Sequence, residues 1–277
     1  MQKVVQGINN LSQILKCFNS KKIFLVVDSS FPFLNIREDI NALEMQKVVF
    51  SDFTPNPLYE DVCKGIDLLR EEKCDVILAV GGGSVIDTAK AIGFGTLYNG
   101  DVWDFFSKGV NVRKALKVAT VLTIPASGSE SSANAVISDE TIKEKRVVKT
   151  ELIRPVLSIV NPELFYSIPK NQIAYGICDM MSHIFERYFT NTSNNDVIDA
   201  MSEAATKEIM KNGKLLFENN ENYDAWSEIA IAGNLAHNGI FGMGKDEEWT
   251  VHALEYQLSA YYDIPHGAGI AVLLPAW

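Results

Sequence analysis

Up to about residue 165 short apolar runs alternate with helical stretches, and this alternation restricts the fold more than any other feature of the sequence. KKIFLVVD, MQKVVFSDF, the helical LYEDVCKGIDLLREEK, CDVILAV and KVATVLTIP follow one another between residues 21 and 125. Strand and helix in alternation predict a parallel α/β sheet, whose central strands are covered on both faces and so read as unbroken apolar runs. After SIPKN the strands stop. Amphipathic helical segments then follow to the end, among them NNDVIDAMSEAATKEIMKNG and AWSEIAIAGNLAHNGI. The expected organisation is an α/β domain over 1–166 and a helical domain over 167–277, hinged near Ser167 to Lys170. No internal repeat, low-complexity tract or long linker interrupts it.

With 277 residues, 47% of them hydrophobic, the chain can bury a sizeable core. Its net charge of −10 comes from mixed-sign runs without a basic block, which excludes nucleic acid and anionic membrane as expected partners and favours small molecules. Cys17, Cys63, Cys74 and Cys178 are scattered without a CxxC pair, the pattern of reduced thiols rather than of a disulfide framework or a metal site. The amino terminus lacks a signal-peptide stretch, and no apolar run reaches the roughly 20 residues of a membrane helix, so cytoplasmic residence is expected.

Three of the four histidines fall into a pattern with one carboxylate. Asp179 and His183 lie in NQIAYGICDMMSHIFERYF, whose helical spacing puts an i,i+4 pair on one face. His252 follows in the helical EEWTVHALEYQLSAYY, and His266 sits just beyond it in IPHGAG, where Pro265 and Gly267 predict a bend at the helix boundary. Three imidazoles and a carboxylate suit Zn²⁺ or Fe²⁺ better than Ca²⁺ or Mg²⁺. Read singly, each histidine is an ordinary packing residue, and His237 in NLAHNG keeps that reading.

CDVILAVGGGSVIDTAKAIG reads as a buried strand, a glycine-rich turn and a helix beginning near Val85. Backbone amides in such a turn can cradle a phosphate, although many strand-to-helix turns need glycine for geometry alone. Asp28 closes the strand KKIFLVV at its carboxyl end, where open α/β sheets bind ligands. It can accept hydrogen bonds from ribose hydroxyls and repel a 2′-phosphate, or serve as a turn or N-cap aspartate before SSFP. The ordinary dinucleotide fingerprint is absent: the loop is not GxGxxG, and the candidate ribose acid precedes it.

GGGSVIDTAK at 81–90, TIPASGSES at 123–131, the Asp179/His183 helix and the segment 244–277 together resemble the iron-containing (group III) alcohol dehydrogenases. The last segment and the WDF of 103–105 are most similar to their butanol dehydrogenase-like branch. The resemblance implies a Rossmann-like parallel-sheet dinucleotide-binding domain followed by an all-helical metal-binding domain, a dehydroquinate synthase-like fold. It makes Asp179, His183, His252 and His266 the ligands of Fe²⁺, with Zn²⁺ as the alternative. Gly82, Gly83, Ser84 and Asp87 match the cofactor loop, Asp87 towards the nicotinamide. Asn56, Thr123 and Ser127 match further cofactor contacts, Lys145 matches less closely, and Asp28 matches the acid of members that prefer NAD over NADP. The implied reaction is hydride transfer between nicotinamide and a small primary alcohol or aldehyde, in a homodimer. Many relatives carry a proton-relaying histidine one turn after the third ligand. This chain has Tyr256 there, a poorer shuttle near neutrality with its reference pKa of about 10. Two alternatives stand beside this reading: a phosphonoaldehyde reductase of the same family, and a non-catalytic nucleotide-binding remnant or fragment. The second arises because relatives continue for several helices beyond the PAW at Trp277, so the second domain is expected to be incomplete at its carboxyl end.

Overall fold

The computed structural model describes residues 3–6, 22–51 and 56–277; Cys17 and the Asp52 and Phe53 of the second apolar run lie outside them. The first part of the chain supplies β1 (Lys3–Gln6), β2 (Lys22–Val27), α1 (Arg37–Asn41), β3 (Gln46–Phe50), α2 (Tyr59–Glu72), β4 (Val76–Gly81), α3 (Gly83–Gly95), α4 (Asp104–Ser107), β5 (Lys117–Leu122), β6 (Asn134–Asp139), β7 (Glu144–Lys149) and β8 (Leu157–Val160). Six of these strands form one sheet in the order β1-β8-β5-β4-β2-β3, every neighbouring pair parallel. β2, β4, β5 and β8 are buried almost throughout, as unbroken apolar runs require, whereas the edge strand β3 exposes Gln46 and Val49. Burying side chains such as Ile77, Leu78 and Val80 stabilises the sheet by about 1.5–3 kcal/mol each.

The strand order fixes where a ligand can sit. The chain runs outward from β2 to β3, crosses back to β4 and then proceeds the other way through β5 to β8, so it reverses direction between β2 and β4. Open α/β sheets bind ligands outside the carboxyl ends of strands at such a switch point. Here those ends are Asp28 after β2 and Gly81–Gly82 after β4, brought level by the pairing of Val27 with Val80. The strands β1 and β8 and the antiparallel hairpin β6–β7 are additions to the alternation read from the sequence.

After β8 the chain is helical among the described residues: α5 (Lys170–Tyr188), α6 (Asp196–Glu218), α7 (Tyr223–His237), α8 (Thr250–Tyr262) and α9 (His266–Leu273), joined by irregular segments of which the longest, 238–249, includes a 3-10 turn. The chain divides into two compact units. One comprises residues 1–123 and 129–164; the other comprises 165–277 together with Ile124–Gly128. That short excursion is packed on the helices of the second unit. Gly128, at φ +63°, takes a left-handed turn in which a Cβ would stand 2.6 Å from His237 Cβ, and Gly176 of α5 meets the Pro125 carbonyl so closely that its own Cβ would lie 3.0 Å away. No described helix is long and apolar enough to cross a membrane.

Candidate functional site

The buried face of α5 is not wholly apolar. Ile173, Gly176, Met180 and Ile184 share it with Asp179, Ser182, His183, Glu186 and Arg187. A stripe of this kind is stable only if its polar groups find one another. α8 adds His252 and Glu255 from its own buried face. α9 starts at His266 directly after Pro265, the bend that the sequence predicts, and it can do so because glycine lets it approach: a Cβ on Gly267 would lie 2.4 Å from the Tyr175 carbonyl oxygen, and one on Gly269 would lie 2.9 Å from Glu255 Cγ.

Three helices thereby surround one oxygen. Asp179 Oδ1 is 3.6 Å from His183 Nε2, 3.5 Å from His252 Nε2 and 3.5 Å from His266 Nε2. Asp179 Oδ1 and His252 Nε2 are buried without a hydrogen-bond partner among the described residues, which would be a serious cost unless something else bonded them. A cation coordinated at about 2.1 Å in tetrahedral geometry has ligand atoms about 3.4 Å apart. The spacing here fits that edge, and Asp179, His183 and His252 form a buried group able to hold a metal ion. His266 is the most exposed of the four, with 27% of its side chain accessible.

The tautomers are set from behind. Glu186 accepts from His252 Nδ1 and Glu255 accepts from His266 Nδ1, both through short contacts. A carboxylate can only accept, so both rings hold a proton on Nδ1 and turn Nε2 inward. Glu186 also receives the Val251 N–H at 2.7 Å and Ser182 Oγ at 3.0 Å, so one buried carboxylate caps α8 and aims its histidine. These two acids are absent from the site read from the sequence. A signal exists in the spacing: HIFE at 183–186 and HALE at 252–255 each place a glutamate three residues after a histidine. Each acid serves a histidine further along the chain, Glu186 on to His252 and Glu255 on to His266, not the one three residues before it.

Charge follows this geometry. Burial opposes ionisation of Asp179, yet the surrounding imidazoles, His183 foremost, hold its carboxyl well below the usual range. Burial holds His183 well below the ordinary imidazole value. For His252 the carboxylates of Asp179 and Glu186 overcome burial and push it up to about 9. Tyr256, also on α8, has its ring 6.1 Å from that of His266 and 6.4 Å from that of His252. His237 is partly buried and packs, as the sequence suggests, but the ring it packs against belongs to His183.

In the first unit, Gly82 is the extended N-cap of α3, and the helix starts at Gly83, two residues before the expected Val85, with the Ile86 N–H already bonded to the Gly82 carbonyl. Gly81 has no room for a side chain, since a Cβ would stand 2.3 Å from Val85 Cγ2. Thr123, after β5, donates its N–H to the Gly81 carbonyl at 3.1 Å, so Asp28, the glycines and Thr123 close the ends of three adjacent strands. Asp28 makes a turn in which its carboxylate accepts the Ser30 N–H at 2.8 Å. Asp87 accepts from Ser129 Oγ and from the Val136 N–H, and buried Lys90 stands 3.7 Å away. Lys90 Nζ further donates to Ser129 Oγ at 2.9 Å and to the Asn134 carbonyl at 2.7 Å, clamping the chain after residue 128 against α3. Burial lowers its pKa to about 8. Lys145 pairs across the hairpin with Ser138, whose N–H bonds the Pro57 carbonyl beside Asn56. Ser127 lies in the excursion that belongs to the second unit.

A phosphate-cradle turn at a parallel-sheet switch point, and a buried carboxylate with three imidazoles in a helical unit, define a metal- and nucleotide-dependent class of enzyme. The family model of iron-containing alcohol dehydrogenases matches residues 2–162, and that of the family's C-terminal part matches residues 173–277. The chain belongs to the iron-containing alcohol dehydrogenase family. It is 45% identical to the probable NADH-dependent butanol dehydrogenase 2 of Bacillus subtilis, over 99% of this chain and 72% of that protein. It is 38% identical to NADH-dependent butanol dehydrogenase A of Clostridium acetobutylicum, over 98% of this chain and 70% of the relative. The crystal structure of the NADH-dependent butanol dehydrogenase A of Thermotoga maritima superimposes with a TM-score of 0.95 at 35% identity, covering all of this chain and 71% of that one.

Proposed function

We propose that this chain is an NADH-dependent alcohol dehydrogenase that interconverts small primary alcohols, butanol among them, with their aldehydes, using Fe²⁺ held by Asp179, His183, His252 and His266. The observation that carries this reading is the set of three Nε2 atoms spaced 3.5–3.6 Å from one orphaned carboxylate oxygen. The names of its relatives supply the substrate class and NADH. When bound, the cation supplies Lewis acidity towards an alcohol or carbonyl oxygen, and the nicotinamide gives or takes the hydride.

The side chains prepare that chemistry. Asp179 would bring one negative charge to a divalent cation, so the occupied site would stay net positive. Glu186 and Glu255 keep two ligand protons on the outer nitrogens, so those rings are oriented before any metal arrives. The N–H groups from Gly82 to Ser84 at the start of α3 bind the pyrophosphate, where the helix dipole adds to their effect. Asp28 binds the adenosine ribose and repels a 2′-phosphate, which favours NADH over NADPH. Asn56, Thr123, Ser127 and Lys145 make further cofactor contacts. Asp87, with its carboxylate engaged by Ser129 and Val136, shapes the nicotinamide end.

The test is oxidation of NADH and NADPH with butanal by the purified chain, before and after chelation and with Fe²⁺ or Zn²⁺ restored. Turnover that is lost on chelation, returns with metal and favours NADH is expected. A preference for NADPH overturns the role of Asp28, and kcat/KM far higher for a phosphonoaldehyde than for butanal overturns the substrate. A folded protein without turnover under any metal overturns the enzymatic reading.

A further inference from the structure

Two of the three histidines around Asp179 are oriented by acids, and the third is not. Each HxxE turn hands its glutamate forward, Glu186 to His252 and Glu255 to His266. His183 comes first in the chain, so no earlier turn provides for it. Its Nδ1 is buried without a hydrogen-bond partner among the described residues. Turning Nε2 towards Asp179 requires the proton on that orphaned Nδ1. Something other than a carboxylate must keep the ring from rotating.

The ring that stands there is His237. Its centroid is 4.0 Å from that of His183 at an interplanar angle of 69°, and Trp249 flanks both rings at 5.9 and 6.1 Å. The pairing is fixed through the backbone. Arg187 Nη1 donates to the His183 carbonyl at 2.7 Å and to the Ala236 carbonyl at 3.0 Å, which ties the turn of α5 that carries His183 to the turn of α7 that carries His237. Arg187 is itself held by Glu247 at 2.9 Å and lies over the Trp249 ring, 4.4 Å from its centroid. From behind, the Gly128 turn packs on His237 Cβ so tightly that only glycine fits.

We infer that His237 is a positioning residue for the metal: its flat ring, edge to face with His183 and locked from the other side by Gly128 and Arg187, replaces the carboxylate that the other two histidines have. This rests on the reading of Asp179 and the three histidines as a metal site.

The experiment is titration of the metal-stripped chain with Co²⁺ against a chelator of known affinity, with the visible spectrum of the bound ion recorded, for wild type, H237L and H237F. In H237L a branched side chain lets the His183 ring turn, and Co²⁺ affinity should fall about tenfold to a hundredfold, the usual cost of losing an orienting partner, with an altered visible spectrum. H237F keeps a flat ring and should recover most of the affinity and the spectrum. Thermal unfolding of the metal-free proteins shows whether each variant is folded, and if H237L is not, H237M takes its place. Wild-type affinity and spectrum in H237L overturn the inference, as does an equal loss in H237L and H237F. Failure of the wild type to bind one equivalent of Co²⁺ overturns the metal reading itself, whatever the variants do.

Discussion

At the carboxyl ends of β2, β4 and β5 the groups offered to a ligand are mostly main-chain amides at Gly82–Ser84, with small polar side chains beside them. The helical unit offers four side-chain donors carried by three helices. The first arrangement depends on backbone shape, so its sensitive positions are those where any side chain is excluded. The second depends on atom identity and ring rotation, so its sensitive positions include residues that never reach the ion. Separate lesions should therefore separate the two functions.

Asp179→Ala removes the only formal charge among the four donors. It should abolish retention of one metal equivalent and lower turnover by about a thousandfold, corresponding to several kcal/mol, while NADH binding followed by fluorescence stays within about twofold. Loss of NADH binding as well would erase the proposed division. Glu186→Gln and Glu255→Gln should each weaken metal retention by about tenfold to a hundredfold in chelator competition. Glu186→Gln should also lower thermal stability, because Glu186 caps α8. Wild-type stability in that variant would remove the cap.

Gly81→Ala forces a Cβ into Val85. It should cost about 1–3 kcal/mol in denaturant unfolding and raise KM for NADH, with metal content unchanged. The last effect, confined to alkaline pH, belongs to Lys90. Its folded pKa of about 8 lies below the ordinary lysine value of 10.5, so the unfolded chain binds the extra proton between those values, and stability should rise with pH across that window. Against Lys90→Met, which lacks the group, wild type should gain up to about 3 kcal/mol between pH 8 and 10.5. Parallel pH profiles for the two proteins would refute the buried charge.

Much of this was legible because the relevant patterns are local. The runs CDVILAV and KVATVLTIP announce central strands, and the i,i+4 spacing of Asp179 and His183 announces a shared face. β8 escapes because LSIV is only four residues long, and EKRVVK in β7 is polar enough to read as a surface run. Glu186 and Glu255 escape for a different reason. A buried acid is uncommon, and what makes these two matter is the packing of one helix on another across 66 and 11 residues of chain. The engagement of Asp87 with Ser129 and Val136, 42 and 49 residues away, is equally nonlocal. The sequence aims that carboxylate at a ligand, and the fold gives it protein partners.

The excursion Ile124–Gly128 also bears on how such a protein can be divided or recombined. All four proposed metal donors lie in 165–277, yet the stretch that packs against Gly176 and His237 is encoded inside the first half of the chain. A gene fragment cut at residue 165 would carry every proposed ligand and lack the turn that packs behind His237. The helical unit is therefore not a transferable cassette: exchanging it between relatives requires moving five residues from the middle of the other half along with it.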